Sequence, residues 1–205
     1  MPTTTILAGD VKDVHCNDSM DLQRSKLKQD SKKYNIPLED LRIFDSASNA
    51  VLPNTAASDD LGLLLGTQGT DGFSVQTSDA KATTVTQKAR FRFWLPPEYD
   101  AGETVQVCAY AGMKTTVSDT TATIDFSVYK KNEADNTHGS DLVTTGATTI
   151  NSLTLAEKAF SLTTTGFVNG DELSGLITIA ITDGATGTAV LGFVTKFYLL
   201  IDIKG

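Results

Sequence analysis

Three groups of side chains have the residue types that catalysis or metal binding requires, and the first contains a histidine. His138 lies close to Ser140 and Asp141 in the segment EADNTHGSDL, which supplies the types needed for a nucleophile, its base and an orienting acid. Residues this close together in a turn rarely form the hydrogen-bonded line that such a triad needs. Polar segments of this kind are typical of exposed connections between strands, so we predict no catalytic role for it.

The second group is a set of carboxylates in the segment LPPEYDAGETV, residues 95–105. Glu98, Asp100 and Glu103 offer the paired carboxylates that glycoside hydrolysis uses, so a sandwich-type glycosidase is one hypothesis. Two prolines that cannot donate to a strand ladder precede them, and a glycine with a permissive backbone comes before the next apolar run. We therefore favour a corner between two strands, with Tyr99 folding back to hydrogen-bond it.

The third group is the segment DVKDVHCND at residues 10–18, which contains possible metal ligands. In an extended chain the adjacent His15 and Cys16 point apart, and a closed zinc site would have to recruit Cys108 or His138 from distant segments. We interpret this group as a polar segment and predict neither a metal nor another cofactor. A single disulfide between the two cysteines stays an open alternative.

Aromatic side chains are the remaining candidates for ligand contact. They lie on strand positions opposite the aliphatic ones or in a loop, and they are Trp94, Tyr99, Tyr110, Tyr129 and Tyr198. Aromatic rings on an exposed β-sandwich face can stack on sugars, which favours carbohydrate binding. Aromatic residues are also enriched at interfaces, so the alternative is that several pack under the N-terminal segment or between subunits.

The elements that would position these residues are β-strands. Alternation of apolar and polar residues predicts strands over residues 89–95, 104–112, 123–130, 176–182 and 189–203, with weaker candidates at 41–44, 61–65, 73–77, 83–88 and 158–164. The last strong segment should align Leu191, Phe193, Phe197, Leu199 and Ile201 on one face. No helical periodicity separates the strands, so the sequence predicts an all-β, antiparallel β-sandwich of jelly-roll type over residues 39–205.

Residues 1–38 differ from this body because they are rich in lysine and arginine, and we predict that they form an N-terminal arm. Within it, residues 17–37 contain no internal glycine or proline and end at Pro37, which favours a short helix. Its narrow apolar stripe needs a surface to pack on, either its own domain or a neighbouring subunit. The candidate partner-docking residues are Arg24, Leu27, Lys28, Lys32 and Tyr34.

Charge and hydropathy indicate which partners to expect. The formal net charge of -8 repels phosphates and anionic lipid headgroups, so we predict binding neither to nucleic acid nor to membranes. The first residues lack the basic and apolar regions of a signal peptide, and no apolar stretch approaches the ~20 residues of a membrane span. We expect a soluble, unprocessed protein made in a cytoplasm.

Several blocks of the sequence are similar to uncharacterised proteins of tailed-phage virions: LPPEYDAGETVQVCAYAGM, TTVSDTTATIDFSVYK, INSLTLAEKAF, ITDGATGTAVLGF and LLIDIKG. The resemblance covers roughly residues 36 to 205 and consists of the order and spacing of structural motifs. It implies a virion structural protein of jelly-roll type, assembled in the host cytoplasm, that decorates the capsid or forms part of a fibre.

Two hypotheses of different classes follow. The leading one is a non-enzymatic capsid-decoration (cement) or head-associated protein, favoured as a homotrimer, that docks on the major capsid protein or other virion proteins and stabilises the shell. The alternative is a carbohydrate-binding module of a phage fibre or host-recognition device. Binding to glycans should separate the two, since a decoration protein needs none.

Overall fold

The fold was analysed in a computed structural model. The structure describes residues 29–44, 50–115, 120–134, 136–184 and 188–204. A short 3₁₀ helix, Leu38–Asp40, is the only helical element in these ranges, and no described helix could span a membrane. The strands are β1 Gln29–Asn35, β2 Gly62–Leu64, β3 Ser74–Gln76, β4 Thr84–Trp94, β5 Val105–Met113, β6 Thr120–Asn132, β7 Thr137–His138, β8 Thr148–Thr149, β9 Ala156–Ser161, β10 Glu172–Asp183 and β11 Gly192–Lys204.

The strands form two antiparallel sheets, which confirms the predicted β-sandwich. The first sheet has the order β2-β3-β11-β5-β9, with β1 also pairing with β11, and the second has the order β4-β10-β6-β7, with β8 also pairing with β6. From β3 to β6 and from β9 to β11, each successive strand crosses to the opposite sheet. This interleaving, in which β11 lies between β3 and β5 while β10 lies between β4 and β6, is the strand order of a jelly roll.

The core lies between the two sheets and is filled by the apolar sets that the period-two pattern predicts. The inner faces of β4, β5, β6 and β10 are confirmed as buried. Four phenylalanines form its centre, where the Phe91 and Phe197 ring centroids lie 4.8 Å apart and those of Phe126 and Phe160 lie 4.9 Å apart. Edge-to-face contacts of this kind add to the stabilisation from burial.

The predicted alignment of β11 is wrong at its first residues because the strand contains a bulge. The pairing with β5 shifts between Val194 and Lys196, so one extra residue enters β11 at this point. Beyond the bulge Phe197, Leu199 and Ile201 are buried as expected, but Val194 takes the inner face before it. Leu191 and Phe193 therefore lie on the opposite face and are only partly buried.

The predicted helix over residues 17–37 is wrong where the structure describes it, because Gln29–Asn35 is strand β1. This strand pairs with β11 from Gln29 opposite Lys204 to Asn35 opposite Tyr198. β3 pairs with β11 only around Phe193 and Val194, which leaves the backbone groups of the rest of that edge available to β1. A ladder of backbone hydrogen bonds outweighs the weak helix propensity of so polar a segment. Residues 17–28 lie outside the described ranges.

Candidate functional site

The outward face of the second sheet brings together polar and aromatic side chains from β4, β10, β6 and β7. On β4 the residues that alternate with the buried phenylalanines project outward, which places Arg92 and Trp94 on this face. Trp94 lies opposite Glu172 of β10, and Ser174 lies between Arg92 on one side and Tyr129 on the other. Antiparallel register therefore gathers residues that are far apart in the sequence into one patch, which we call the Trp94 face.

Trp94 is the most exposed aromatic side chain of this face, with 54% of its surface accessible. The guanidinium carbon of Arg92 lies 5.1 Å from the indole ring centroid, within the range of a cation–π contact. Trp94 is the last residue of β4 and is followed by the buried Leu95, so its backbone is held by the sandwich. An indole held in this way presents an apolar surface with a polar N–H at its edge.

Glu172 organises the cations around the indole. One carboxylate oxygen lies 3.1 Å from the Lys131 ammonium, and the other lies 3.6 Å from an Arg92 guanidinium nitrogen. The Glu172 side chain is only 16% exposed, so it is better shielded from water than either cation. A carboxylate shared by two cations restrains both side chains while satisfying only one positive charge.

Tyr129 and His138 form the other end of the face. Their rings are stacked with centroids 6.1 Å apart and planes inclined by 22°. His138 Nε2 lies 3.1 Å from Ser174 Oγ, so β7 is tied to β10 across β6. The spacing of strands and residues puts Tyr129 roughly 12 Å from Trp94. The face thus carries two aromatic positions with hydrogen-bonding groups between them.

The outward face of the first sheet also contains an aromatic residue, but there the ring is covered. Tyr198 of β11 is fully buried, and its hydroxyl donates to Glu157 of β9. The Lys33 ammonium of β1 lies 4.6 Å from the Tyr198 ring centroid and 3.7 Å from Glu157 Oε2. Burial, and then the bond to Glu157, raise the pKa of the Tyr198 hydroxyl, and the same bond, followed by Lys33, lowers the pKa of Glu157. We call this cluster the Tyr198 latch.

The catalytic constellations considered from the sequence do not assemble. Asp141 Oδ1 accepts hydrogen bonds from the amides of Val128 and Val143, which gives it a structural role in the turn, whereas His138 contacts Ser174. The corner predicted at residues 95–105 is confirmed.

In that corner Tyr99 is buried, donates from its hydroxyl to the Glu103 carbonyl at 3.3 Å, and packs its ring edge-to-face with Phe167. Glu98, one of the carboxylates considered for hydrolysis, instead lies 3.0 Å from the Lys32 ammonium of β1. The loop therefore connects two core strands, and Glu98 contacts β1 through a surface ion pair.

No metal site is found in the part of the chain that the structure describes. Its His, Cys, Asp and Glu side chains form no group of three or more that could hold an ion. His15 and Cys16 lie outside this part. Cys108 is a buried free thiol beneath the Tyr198 latch, and burial, followed by the charge of Glu157, raises its pKa to about 11. A thiol with that pKa is a poor nucleophile at neutral pH.

Of the predicted docking residues, two lie in β1. The side chain of Lys32 is 49% exposed and pairs with Glu98, while Tyr34 packs against the core. Arg24, Leu27 and Lys28 precede the described residues, so a docking role for the set stays a prediction.

The sequence placed Trp94, Tyr129 and Arg92 at outward strand positions but missed the other polar residues that surround them. Arg92 was visible in the same period-two pattern, since ARFRFW alternates its two arginines and its tryptophan with apolar residues. Glu172 gave no such signal, because it meets Trp94 only through the pairing of β10 with β4. The contact of His138 with Ser174 gave none either, because these two residues are 36 positions apart.

Comparisons with known proteins identify no family and give only weak structural similarity. No protein-family model and no curated protein matches the chain. A solved structure titled as the CBM22-1 xylan-binding domain of Paenibacillus barcinonensis Xyn10C is 14% identical, with 71% of this chain and 82% of that chain covered and a TM-score of 0.38.

Two longer solved chains are matched over a minor part of their length. The CBM22-1-GH10 modules of Clostridium thermocellum Xyn10B, complexed with xylohexaose, are 11% identical over 83% of this chain and 28% of that chain, at a TM-score of 0.41. An arabinose-bound MgGH51 α-L-arabinofuranosidase is 18% identical over 71% and 22%, at 0.42. Scores this low carry no argument about function.

Proposed function

We propose that this protein is a non-enzymatic carbohydrate-binding module of a phage fibre or host-recognition device, and that it binds glycan on the Trp94 face. The observation that carries the proposal is the exposed indole of Trp94, held at a strand end beside polar groups that are themselves restrained by Glu172. A rigid aromatic surface with a few oriented polar groups is what recognition of a small polar ligand requires.

The expected binding mode follows from the geometry of the face. A sugar ring stacks its apolar side on the indole, and the adjacent Arg92 supplies hydrogen bonds to its hydroxyl groups. Ser174 and His138, farther across the sheet, bond to the next sugar unit. These side chains come from paired strands, so little conformational entropy is lost when a ligand binds. The setting on a phage particle is supported by the sequence resemblance to tailed-phage virion proteins.

A glycan array provides the test, with matched aromatic variants. Wild type should bind at least one glycan, and Trp94→Ala should weaken that binding by at least about tenfold, a loss of ~1.4 kcal/mol. Phe73→Ala is the control, because Phe73 is also exposed, at 47%, but lies in the loop before β3 of the other sheet. Absence of any hit for the folded wild type would reject the proposal.

The second candidate function is capsid decoration, and the same resemblance supports it. In this proposal a homotrimer docks on the major capsid protein or other virion proteins through the segment before β1, which contains Arg24, Leu27 and Lys28. Because β1 is part of the sandwich, the appropriate truncation removes residues 1–28 and retains Gln29–Asn35. The truncated protein should fold but fail to occupy virions. Unchanged occupancy, or virions that contain only a few copies of the wild type, would reject decoration.

A further inference from the structure

A row of positive charge runs along the outward face of β4 and ends at Trp94. Lys88, Arg90 and Arg92 occupy alternate positions of this strand, and the next alternate residue is Trp94. Steps of two residues in a strand are about 7 Å long, so the row measures roughly 20 Å. Its three cations and one indole all project to the same side.

Few ion pairs neutralise this row among the described residues, although the backbone of Asp59 and Asp60 runs alongside Lys88. Arg92 shares Glu172 with Lys131, while Lys88 and Arg90 have no carboxylate within ion-pair distance in the described ranges. The other outward carboxylate of the sheet, Asp125, lies on β6, two strands away from β4, and accepts from the Phe126 amide.

Phe44 forms the margin of the row and orients two of its cations. The Lys88 ammonium lies 4.4 Å and the Arg90 guanidinium carbon 5.7 Å from the Phe44 ring centroid. Asp60, also at this margin, accepts from the Phe44 amide at 2.6 Å. Stacking on a ring restrains a long side chain and leaves its N–H groups available to a ligand.

The chain as a whole carries a formal charge of -8, so a concentration of cations on one strand is a local exception. Clusters of one sign create a local potential that attracts ligands of the opposite sign. Arginine is especially suited to carboxylates because its planar group can donate two parallel hydrogen bonds.

We propose that the ligand of the Trp94 face is an acidic polysaccharide, lying along β4 with carboxylates on Arg90 and Arg92 and a sugar ring on Trp94. This inference rests on the proposed carbohydrate-binding function and specifies its ligand class. A regular acidic polymer presents several carboxylates in a row, so one chain can contact more than one cation of β4. A nucleic acid also presents regularly spaced anionic groups to these cations, so the test below includes an oligonucleotide.

The test measures binding of the full chain to polygalacturonate oligomers and to neutral galactan oligomers by isothermal titration calorimetry. Arg90→Gln and Arg92→Gln should each weaken polygalacturonate binding by about tenfold, in proportion to the loss of one charged contact. The control Lys196→Gln removes an exposed cation from β11 on the other sheet and should bind like wild type. Raising the salt concentration should weaken the binding of wild type and of both variants, with a shallower dependence for each variant because it has lost one charged contact.

The possible results separate this inference from the function on which it rests. Equal binding of neutral galactan, with no effect of the arginine variants, would overturn the acidic ligand while leaving carbohydrate binding intact. Binding of neither polymer, together with an empty glycan array, would overturn both. Binding of a single-stranded oligonucleotide as tightly as polygalacturonate, with the same dependence on arginine, would also overturn the inference, because the face would then select for charge alone. Circular dichroism on each variant verifies that it folds.

Discussion

The two outward faces of the sandwich use similar residues with opposite results. Each contains an aromatic side chain on a strand, flanked by basic residues and one glutamate. In the Tyr198 latch the ring is fully buried under Lys33 and hydrogen-bonded to Glu157. On the Trp94 face the ring is 54% exposed and its glutamate holds the cations beside it.

Strand β1 contributes to this difference, together with Lys196 of β11 and Glu157 of β9. It pairs with the edge of β11 and brings Lys33 over Tyr198. Lys33 thus covers the tyrosine ring and pairs with the Glu157 carboxylate, so both groups find their partner within the chain. Among the described residues no additional strand covers the Trp94 end of β4, where the indole lies. An aromatic residue at an outward strand position is therefore evidence for a ligand only where the chain itself does not cover it.

The largest expected effect comes from truncating the two rings. Tyr198→Ala should lower the free energy of unfolding by about 3–5 kcal/mol, because it empties a buried aromatic site. Trp94→Ala should change it by less than about 1 kcal/mol, because an exposed ring contributes little to the core. Urea unfolding measures both, with Tyr198→Phe as a control that should lose only ~1 kcal/mol for the hydroxyl. Equal losses from the two alanine variants would contradict the comparison.

A smaller effect is expected from adding a methyl group beneath the Trp94 face. Gly175 of β10 points inward, and a Cβ at this position would collide with the Phe91 ring and lie 2.6 Å from the Ser127 carbonyl oxygen. Gly175→Ala should therefore cost about 1–3 kcal/mol in unfolding free energy. It should also weaken glycan binding, since Ser174 is its neighbour.

Gly146→Ala is the matched control for this variant, because its Cβ would meet nothing within 4 Å. A thermal melt of Gly175→Ala that coincides with that of wild type would contradict this prediction, because it would show that the backbone around Gly175 moves to accommodate a methyl group at little cost.

The Tyr198 latch should make stability depend on pH in the acidic range. The folded state lowers the pKa of Glu157, first through the Tyr198 hydroxyl and then through Lys33. A group whose pKa is depressed by folding contributes stability above its unfolded pKa, and this contribution is lost as the pH falls through the folded value. Wild type and Glu157→Gln should thus differ most in urea midpoint at neutral pH and converge as the pH is lowered. A constant difference down to the acid limit would show that the carboxylate does not act through its charge.

The smallest effect is expected at the corner that contacts β1 through Lys32. Lys32 and Glu98 form a 3.0 Å ion pair, but both side chains are about half exposed and solvent screens the attraction. Lys32→Gln should leave the unfolding midpoint unchanged within error, in contrast to Tyr198→Ala. If Lys32 also docks on a partner, the same variant would lower virion occupancy without changing stability. A reproducible loss of stability would instead identify the pair as part of the fold.

The success and failure of the sequence predictions have identifiable physical causes. The inner faces of β4 and β10 were predictable because strict alternation, as in Phe91 and Phe93, leaves one possible buried side. The bulge near Lys196 was not predictable, since an extra residue shifts the phase of β11 without any change in composition. Strand β1 was mistaken for a helix because its stability comes from the edge of β11, far away in the chain.

The sequence by itself determined the all-β class, the corner around Tyr99 and the outward position of Trp94, because all three depend on local periodicity and turn chemistry. Only the tertiary structure decided which aromatic residues remain accessible and which charges surround them. Strand register places Glu172 opposite Trp94, and the strand order β11-β5-β9 lets the Glu157 side chain reach the Tyr198 hydroxyl across β5. Register is set by pairings between distant segments. The accessibility of each ring follows from these long-range pairings. Local residue patterns carry no information about which distant segments pair.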